Sequence, residues 1–181
     1  MLFFLQQHLD SIAHADRVLK CPFCTSMFKT PSGMAMHLEN GDCKNKKLNR
    51  HQVTNAVRSM NLTPNICIAG ASIQAPTSAS IPMTSSFMIA TEASLNGRYY
   101  YCPLPDCTKH FRKLDALNRH LNSPAHDENQ FKCPGCNKEF KLISGFVQHV
   151  ESRTCTSPVS RQLEDHIDCL AGKLSRRLKL T

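Results

Sequence analysis

Residues 21–43 read CPFCTSMFKTPSGMAMHLENGDC, and residues 133–155 read CPGCNKEFKLISGFVQHVESRTC. The two stretches align at an offset of 112 residues, which carries Cys21, Cys24, His37 and Cys43 onto Cys133, Cys136, His149 and Cys155, and Phe28 onto Phe140. The same offset carries His8 and His14 onto His120 and His126. Thiolate and imidazole are the usual zinc donors. Six such residues kept twice at the same spacings mark a duplicated zinc-binding array, not scattered thiols.

Between the two copies lies Cys102-x4-Cys107-x12-His120-x5-His126, with Tyr100, Phe111 and Leu117 around it. This resembles the Cys2His2 zinc finger, including its three apolar core positions. The other two stretches resemble the Cys2HisCys variant, with core positions Leu19, Phe28 and Met34 in the first and Phe131, Phe140 and Phe146 in the third. The alternation of the two finger types, with a basic helix after a Cys2HisCys finger, also resembles zinc-finger proteins of filamentous fungi whose function is not established.

The fold class implied is small zinc-nucleated ββα fingers (α+β), in two pairs on a flexible linker, with additional amphipathic helices. The cofactor implied is Zn2+, three ions in all. Cys21, Cys24, His37 and Cys43 would hold one, Cys102, Cys107, His120 and His126 the second, and Cys133, Cys136, His149 and Cys155 the third. A unit this small buries too little apolar surface to fold alone. Zinc binding, about 10–16 kcal/mol in finger peptides, supplies the folding energy. Each finger is thus expected to be its own folding unit.

The last two ligands of each finger lie six residues apart, about 240° around a regular helix. The helix must end or loosen between them. Pro124 and Gly41 suit that role in the middle and first fingers. The third has no breaker, which predicts unwound or 3-10 geometry before Cys155.

The remaining chain divides around the fingers. Residues 1–14 repeat only the second half of a finger, so the chain reads as starting inside a fourth. Its His8 and His14 alone make a weak metal site. The three fingers occupy 17–43, 98–126 and 129–155. Residues 44–69 carry Lys44, Lys46, Lys47, Arg50 and Arg58, with an amphipathic helix expected over 48–60 and a short strand at Ile66-Cys67-Ile68. The basic run reads as a solvated helix face, and Cys67 as an ordinary thiol. Residues 70–97, rich in Ser, Thr, Ala and Pro, read as a flexible linker. Residues 160–180 form an amphipathic helix with Leu163, Ile167, Leu170, Leu174 and Leu178 in one stripe. That stripe packs on a finger or serves a protein partner. His166 and Cys169 on it are assigned no metal.

Charge and targeting bound the function. The chain has 181 residues, ten cysteines, no Trp and a formal net charge of +8. Ionised thiols and bound zinc leave about +6, which suits a polyanionic partner. The apolar start, Met1 to Leu5, is too short for a signal peptide or a membrane span. The chain therefore reads as intracellular, where thiols stay reduced or bind metal, with the nucleus expected and no membrane partner.

Fingers that read DNA set helix positions −1, 3 and 6 against successive bases. The resemblance places Lys113, Ala116 and Arg119 there in the middle finger, and Lys113 and Arg119 can pair with guanine. The first finger offers Thr30, Gly33 and Met36; the third offers Leu142, Gly145 and Gln148, of which Gln148 suits adenine. Thr30-Pro31-Ser32 looks more like a capped helix start. Asp127 and Glu128, between fingers, disfavour phosphate.

The nucleic-acid-binding residues expected are therefore Lys113, Arg119 and Gln148, with DNA favoured over RNA and a transcription-regulating role. The alternatives are a protein-interaction module or a double-stranded RNA binder built on the same fingers. An enzyme is not expected. The Cys-x-x-Cys pairs lack the βαβ setting of redox proteins, and four protein ligands leave zinc no open position.

Overall fold

The computed structural model describes residues 16–60, 65–69, 89–152, 154–155 and 157. The expected half finger with His8 and His14, the helix expected over 160–180 with His166 and Cys169, and residues 70–88 of the expected linker lie outside the described residues.

Each finger is a short antiparallel hairpin followed by one helix. Strands β1 (Leu19–Lys20) and β2 (Met27–Phe28) lead to α1 (Pro31–Glu39), and α2 (Arg50–Arg58) follows. Next come β3 (Leu95–Asn96), β4 (Tyr99–Tyr101), β5 (His110–Phe111) and α3 (Leu114–Leu121). Strands β6 (Phe131–Lys132) and β7 (Glu139–Phe140) lead to α4 (Ile143–Glu151). The register sets the hairpin's two core positions opposite each other every time: Leu19 with Phe28, Tyr100 with Phe111, and Phe131 with Phe140. Period-2 alternation then turns both side chains towards the helix.

The helix ends follow local chemistry. Thr30 caps α1, its hydroxyl accepting from Gly33 N at 3.1 Å, with Pro31 as the first helical residue. At the other end Gly41 takes φ +73°, a left-handed conformation that glycine adopts without a Cβ penalty. Its N–H donates to the Leu38 carbonyl and that of Asp42 to the His37 carbonyl, each at 3.2 Å. This Schellman turn swings Cys43 back to the metal. In the middle finger α3 ends at Leu121, and a 3-10 turn at Pro124–His126 returns His126. Helix α4 ends at Glu151 with no glycine. Instead the Ser152 hydroxyl donates to the His149 carbonyl at 2.9 Å.

The chain forms two compact units, one of residues 1–73 with 129–181, the other of residues 74–128. The first and third fingers therefore share a unit, which corrects the pairing of neighbours along the sequence. Helices α1 and α4 pack antiparallel, and each ends in a glutamate that caps the start of the other. The buried Glu39 carboxylate accepts from Ile143 N at 2.9 Å and Ser144 N at 3.3 Å. Glu151 accepts from Ser32 N at 2.8 Å and also from the Ser32 hydroxyl. Both carboxylates sit at the positive end of the neighbouring helix dipole, where anions are favoured.

One apolar core runs through this unit. It joins Leu38 of the first finger to Phe131, Phe146 and Val150 of the third, and to Leu48, Val53, Val57 and Ile66 of the connecting segment. The shared core argues that these two fingers fold together, against the expectation that each folds by itself.

Helix α2 lies inside the expected 48–60. Asn49 and Gln52 form a reciprocal capping box at its start, and Val53, Thr54, Ala56 and Val57 are buried. Much of the basic run is engaged within the unit. Arg58 donates to Gln130 Oε1 at 2.8 Å and to the Ile68 carbonyl at 3.3 Å, and Lys46 lies over the Phe23 ring. The expected strand at 66–68 is reduced to a single bridge, Cys67 to Phe131, flanked by Lys132 N to Ile66 O at 2.8 Å and Ile68 N to Gln130 O at 3.0 Å.

In the other unit the expected linker to residue 97 gives way to ordered chain before it reaches the finger. Ala90 N donates to Asn118 Oδ1 at 2.7 Å, and β3 joins β4 to make a three-stranded sheet in the order β3-β4-β5. Gly97, at φ +66°, supplies the left-handed residue of the β3–β4 turn. The loop is the pair Gly97-Arg98, with Asn96 opposite Tyr99, and glycine at the first of two loop positions is a hairpin signal that outweighs the linker-like composition upstream.

Candidate metal centres and nucleic-acid interface

Each hairpin presents two cysteines and each helix or helix end presents the other two donors. Three clusters result: Cys21, Cys24, His37 and Cys43; Cys102, Cys107, His120 and His126; and Cys133, Cys136, His149 and Cys155. Within each, the donor atoms lie within 4.8 Å of one another. A tetrahedral zinc ion with bonds of about 2.3 Å to sulfur and 2.0–2.1 Å to nitrogen requires donor separations of roughly 3.3–3.8 Å.

Five of the seven observed separations fall in that range, and the Cys21–Cys43 and His120–His126 pairs lie within 0.4 Å of it. Cys21 Sγ and Cys43 Sγ are 4.0 Å apart, and Cys24 Sγ is 3.5 Å from His37 Nε2. Cys133 Sγ and Cys155 Sγ are 3.8 Å apart, and Cys136 Sγ is 3.4 Å from His149 Nε2. In the middle cluster Cys102 Sγ is 3.5 Å from His126 Nε2, Cys107 Sγ is 3.4 Å from His120 Nε2, and the two imidazoles approach to 2.9 Å. Sulfur pairs at 3.8–4.0 Å are far beyond a disulfide bond of about 2.05 Å.

The surroundings orient the ligands. In every finger the first histidine packs on the phenylalanine of the second finger strand, with ring centroids 4.9 Å apart for Phe28–His37, 5.0 Å for Phe111–His120 and 5.1 Å for Phe140–His149. The Thr154 hydroxyl lies 3.2 Å from His149 Nδ1, leaving Nε2 to the metal.

Burial pushes the Cys21 thiol up to about 11 and raises those of Cys102 and Cys133. Hydrogen bonds from the Ser26 side chain and backbone hold Cys24 down at about 6. Burial lowers His120, assisted by the His126 charge, and also lowers His149. Neutral imidazole is the ligating form, so these histidines are ready to bind. The raised thiols must release protons to zinc, and binding tightens as pH rises. Four protein donors close each site, the arrangement of structural zinc. Cys67 stands apart from all three clusters, its thiol raised by burial.

The expected contact residues fall into two situations. On α3, Asp115 and Arg119 are exposed, as are Lys113 at its N-cap and Arg112 before it, and only Leu117 and Leu121 are buried. Arg119 Nε lies 3.4 Å from Asp115 Oδ2, in a pair largely open to water. Helices α1 and α4 each bury six residues. Met36 and Gln148 remain exposed, but each stands on a helix with a second helix packed along it. A helix with its side chains is about 10–12 Å across, and the DNA major groove is about 12 Å wide. Two packed helices do not enter it together.

The residues that build this helix pair, Ser32, Glu39, Ser144 and Glu151, were not singled out in the sequence. Their signal was present, because Ser32 and Ser144, like Glu39 and Glu151, are also 112 residues apart.

Residues 100–126 match the family model described as zinc finger, C2H2 type. A stretch of 57 residues is 35% identical to transcription factor IIIA of Schizosaccharomyces pombe (strain 972 / ATCC 24843), covering 31% of this chain and 15% of that factor. No solved structure matches the chain. No helix among the described residues is long and apolar enough to cross a membrane.

Proposed function

We propose that this zinc-finger protein binds nucleic acid, duplex DNA before RNA, through helix α3 of its middle finger, and acts as a nuclear regulator of transcription. The observation that carries the reading is the exposure of Arg119 on α3 and of Lys113 at its N-cap, with no other α-helix packed along α3 among the described residues. Both lie at positions from which a docked finger helix reaches base edges. The similarity to a factor named for transcription favours the same direction. Gln148 drops out of this proposal, because the helix beside it blocks entry to the groove.

In the shared unit of the first and third fingers, the crossed glutamate caps and one apolar core join the two fingers. Its role in the proposal is a scaffold or protein-interaction module. Catalysis forms no part of the reading, since each zinc would be fully coordinated by protein.

The test is selection of the zinc-loaded chain on a randomised duplex pool, with a salt titration of the retained fraction. An enriched motif containing guanine is expected. Lys113→Ala and Arg119→Ala should each weaken that motif by about 1–3 kcal/mol and relax its sequence. Binding without enrichment that vanishes at physiological salt would reduce the interaction to phosphate attraction and overturn the base-reading role.

A further inference from the structure

The three-stranded sheet of the middle finger has a second face, turned away from the zinc. Residues Tyr99 and Tyr101 alternate with the core residue Tyr100 along β4, so their rings project to that outer face. His110 on β5 lies directly opposite Tyr101. The three rings form one cluster, with centroids 4.9 Å apart for Tyr99–His110 and 5.5 Å for Tyr101–His110. Tyr101 is 45% exposed and His110 is exposed. Arg98 in the β3–β4 turn and Arg112, two residues after His110, are exposed as well. Tyr100 faces the other way, within the apolar core around Leu117, and its hydroxyl donates to Glu92 Oε2 at 2.6 Å.

Aromatic rings on a sheet face with cations beside them are the recognition chemistry of unpaired bases. Each base has a π-face that stacks on a ring irrespective of its identity, and the adjoining phosphates meet the Arg side chains. Sheets that present such rings to single strands hold two or three bases. A base still paired within a duplex offers no free face to stack. We infer that the outer face of this sheet is a binding site for single-stranded nucleic acid, with Tyr99, Tyr101 and His110 as the stacking platform and Arg98 and Arg112 as its phosphate contacts. The site is separate from helix α3 and does not depend on the duplex reading.

The chain carries its own reporter. It has three tyrosines and no tryptophan, and all three tyrosines lie on β4. The experiment is a titration of the zinc-loaded full chain with oligouridylate and oligothymidylate, and with a duplex of equal length. Tyrosine emission is followed with an inner-filter correction from free tyrosinamide. Saturable quenching by either single strand, with Tyr100 leaving residual emission, is the expected result.

The variants Tyr99→Leu and Tyr101→Leu keep an apolar strand residue and should each weaken single-strand binding about 5- to 150-fold. Tyr101→Phe keeps the ring and should bind as the parent does. Arg98→Ala and Arg112→Ala should each reduce the salt slope by about 0.7. Lys113→Ala with Arg119→Ala should leave the quenching intact. A cobalt-substituted spectrum of the middle site separates lost binding from lost folding. Absence of saturable quenching, equal quenching by duplex, or parent-like affinity in both leucine variants with an intact cobalt spectrum would overturn the assignment.

Discussion

The first and third fingers and the middle finger are built on the same hairpin, helix and spacing of donors, yet their helices have opposite uses. Helices α1 and α4 bury six residues each, and α3 buries two. In the paired fingers the positions that would face a groove include Gly33 and Gly145, and the flank beside them carries serine and glutamate directed at the neighbouring helix. In the middle finger the same face carries Lys113 and Arg119. Zinc therefore sets the form of each unit, and the residues between the ligands decide whether its helix packs or remains available.

The sharpest way to break this comparison is to remove one ligand. Cys133→Ser should eliminate the zinc-bound third finger, forfeiting most of the roughly 10–16 kcal/mol that zinc supplies. Because Phe131 and Phe146 belong to the same core as Leu38 and Val53, the first finger should loosen with it. Backbone resonances of both fingers are expected to collapse together, while those of the middle finger stay in place. A first finger that kept its dispersed resonances would show the two to be independent after all.

The crossed caps come next. Glu39→Ala leaves the N–H groups of Ile143 and Ser144 without their acceptor in a buried setting, at a cost of about 1–3 kcal/mol for each unmet donor. Glu151→Ala should cost less, because the Glu151 carboxylate is half-buried where that of Glu39 is buried. Thermal unfolding of the zinc-loaded chain would rank the two. Burial also raises the Glu39 carboxyl above its ordinary value, with the Ser144 and Ile143 donors opposing that rise. Glu39→Gln is then the milder change, since it keeps an acceptor oxygen and discards a charge that burial disfavours.

How much of this could be read beforehand depends on the range of the physics. Zinc coordination is local, and it imposes spacings that survive in the sequence. The twelve ligands, the core positions and the Thr30 cap were legible for that reason. Packing between α1 and α4 joins residues more than 100 positions apart, and Ser or Glu at a helix end signals equally well a solvated surface. Only their recurrence at the 112-residue offset pointed further. Strand β3 was hidden by the Ser-, Thr- and Pro-rich residues before it, although Gly97 marked the turn.

A smaller effect tests how the first finger differs from the third at its helix end. Gly41→Ala would place a Cβ 2.8 Å from the Leu48 carbonyl oxygen, on a residue held at φ +73°. A left-handed alanine alone costs about 1–2 kcal/mol, and the close approach adds to it. The loss should appear as weaker zinc retention by the first finger against a chelator. The third finger ends its helix with the Ser152 hydroxyl instead, and Ser152→Ala should cost about 0.5–1.5 kcal/mol for one hydrogen bond.

The smallest change in stability concerns the middle finger, where the comparison meets function. Asp115 and Arg119 stand one turn apart with side chains 79% and 76% exposed. Water and salt screen such a pair, so Asp115→Ala should leave the melting curve nearly unchanged. It also removes the acid beside Arg119 and the negative charge closest to the proposed reading face. Duplex affinity should therefore rise, and the rise should shrink at high salt. Helices α1 and α4 offer no equivalent, because their acids are fixed in the caps of the opposing helix. Unchanged or weaker duplex binding by Asp115→Ala would mean that the carboxylate positions Arg119 for contact, and that the ion pair is part of the reading face.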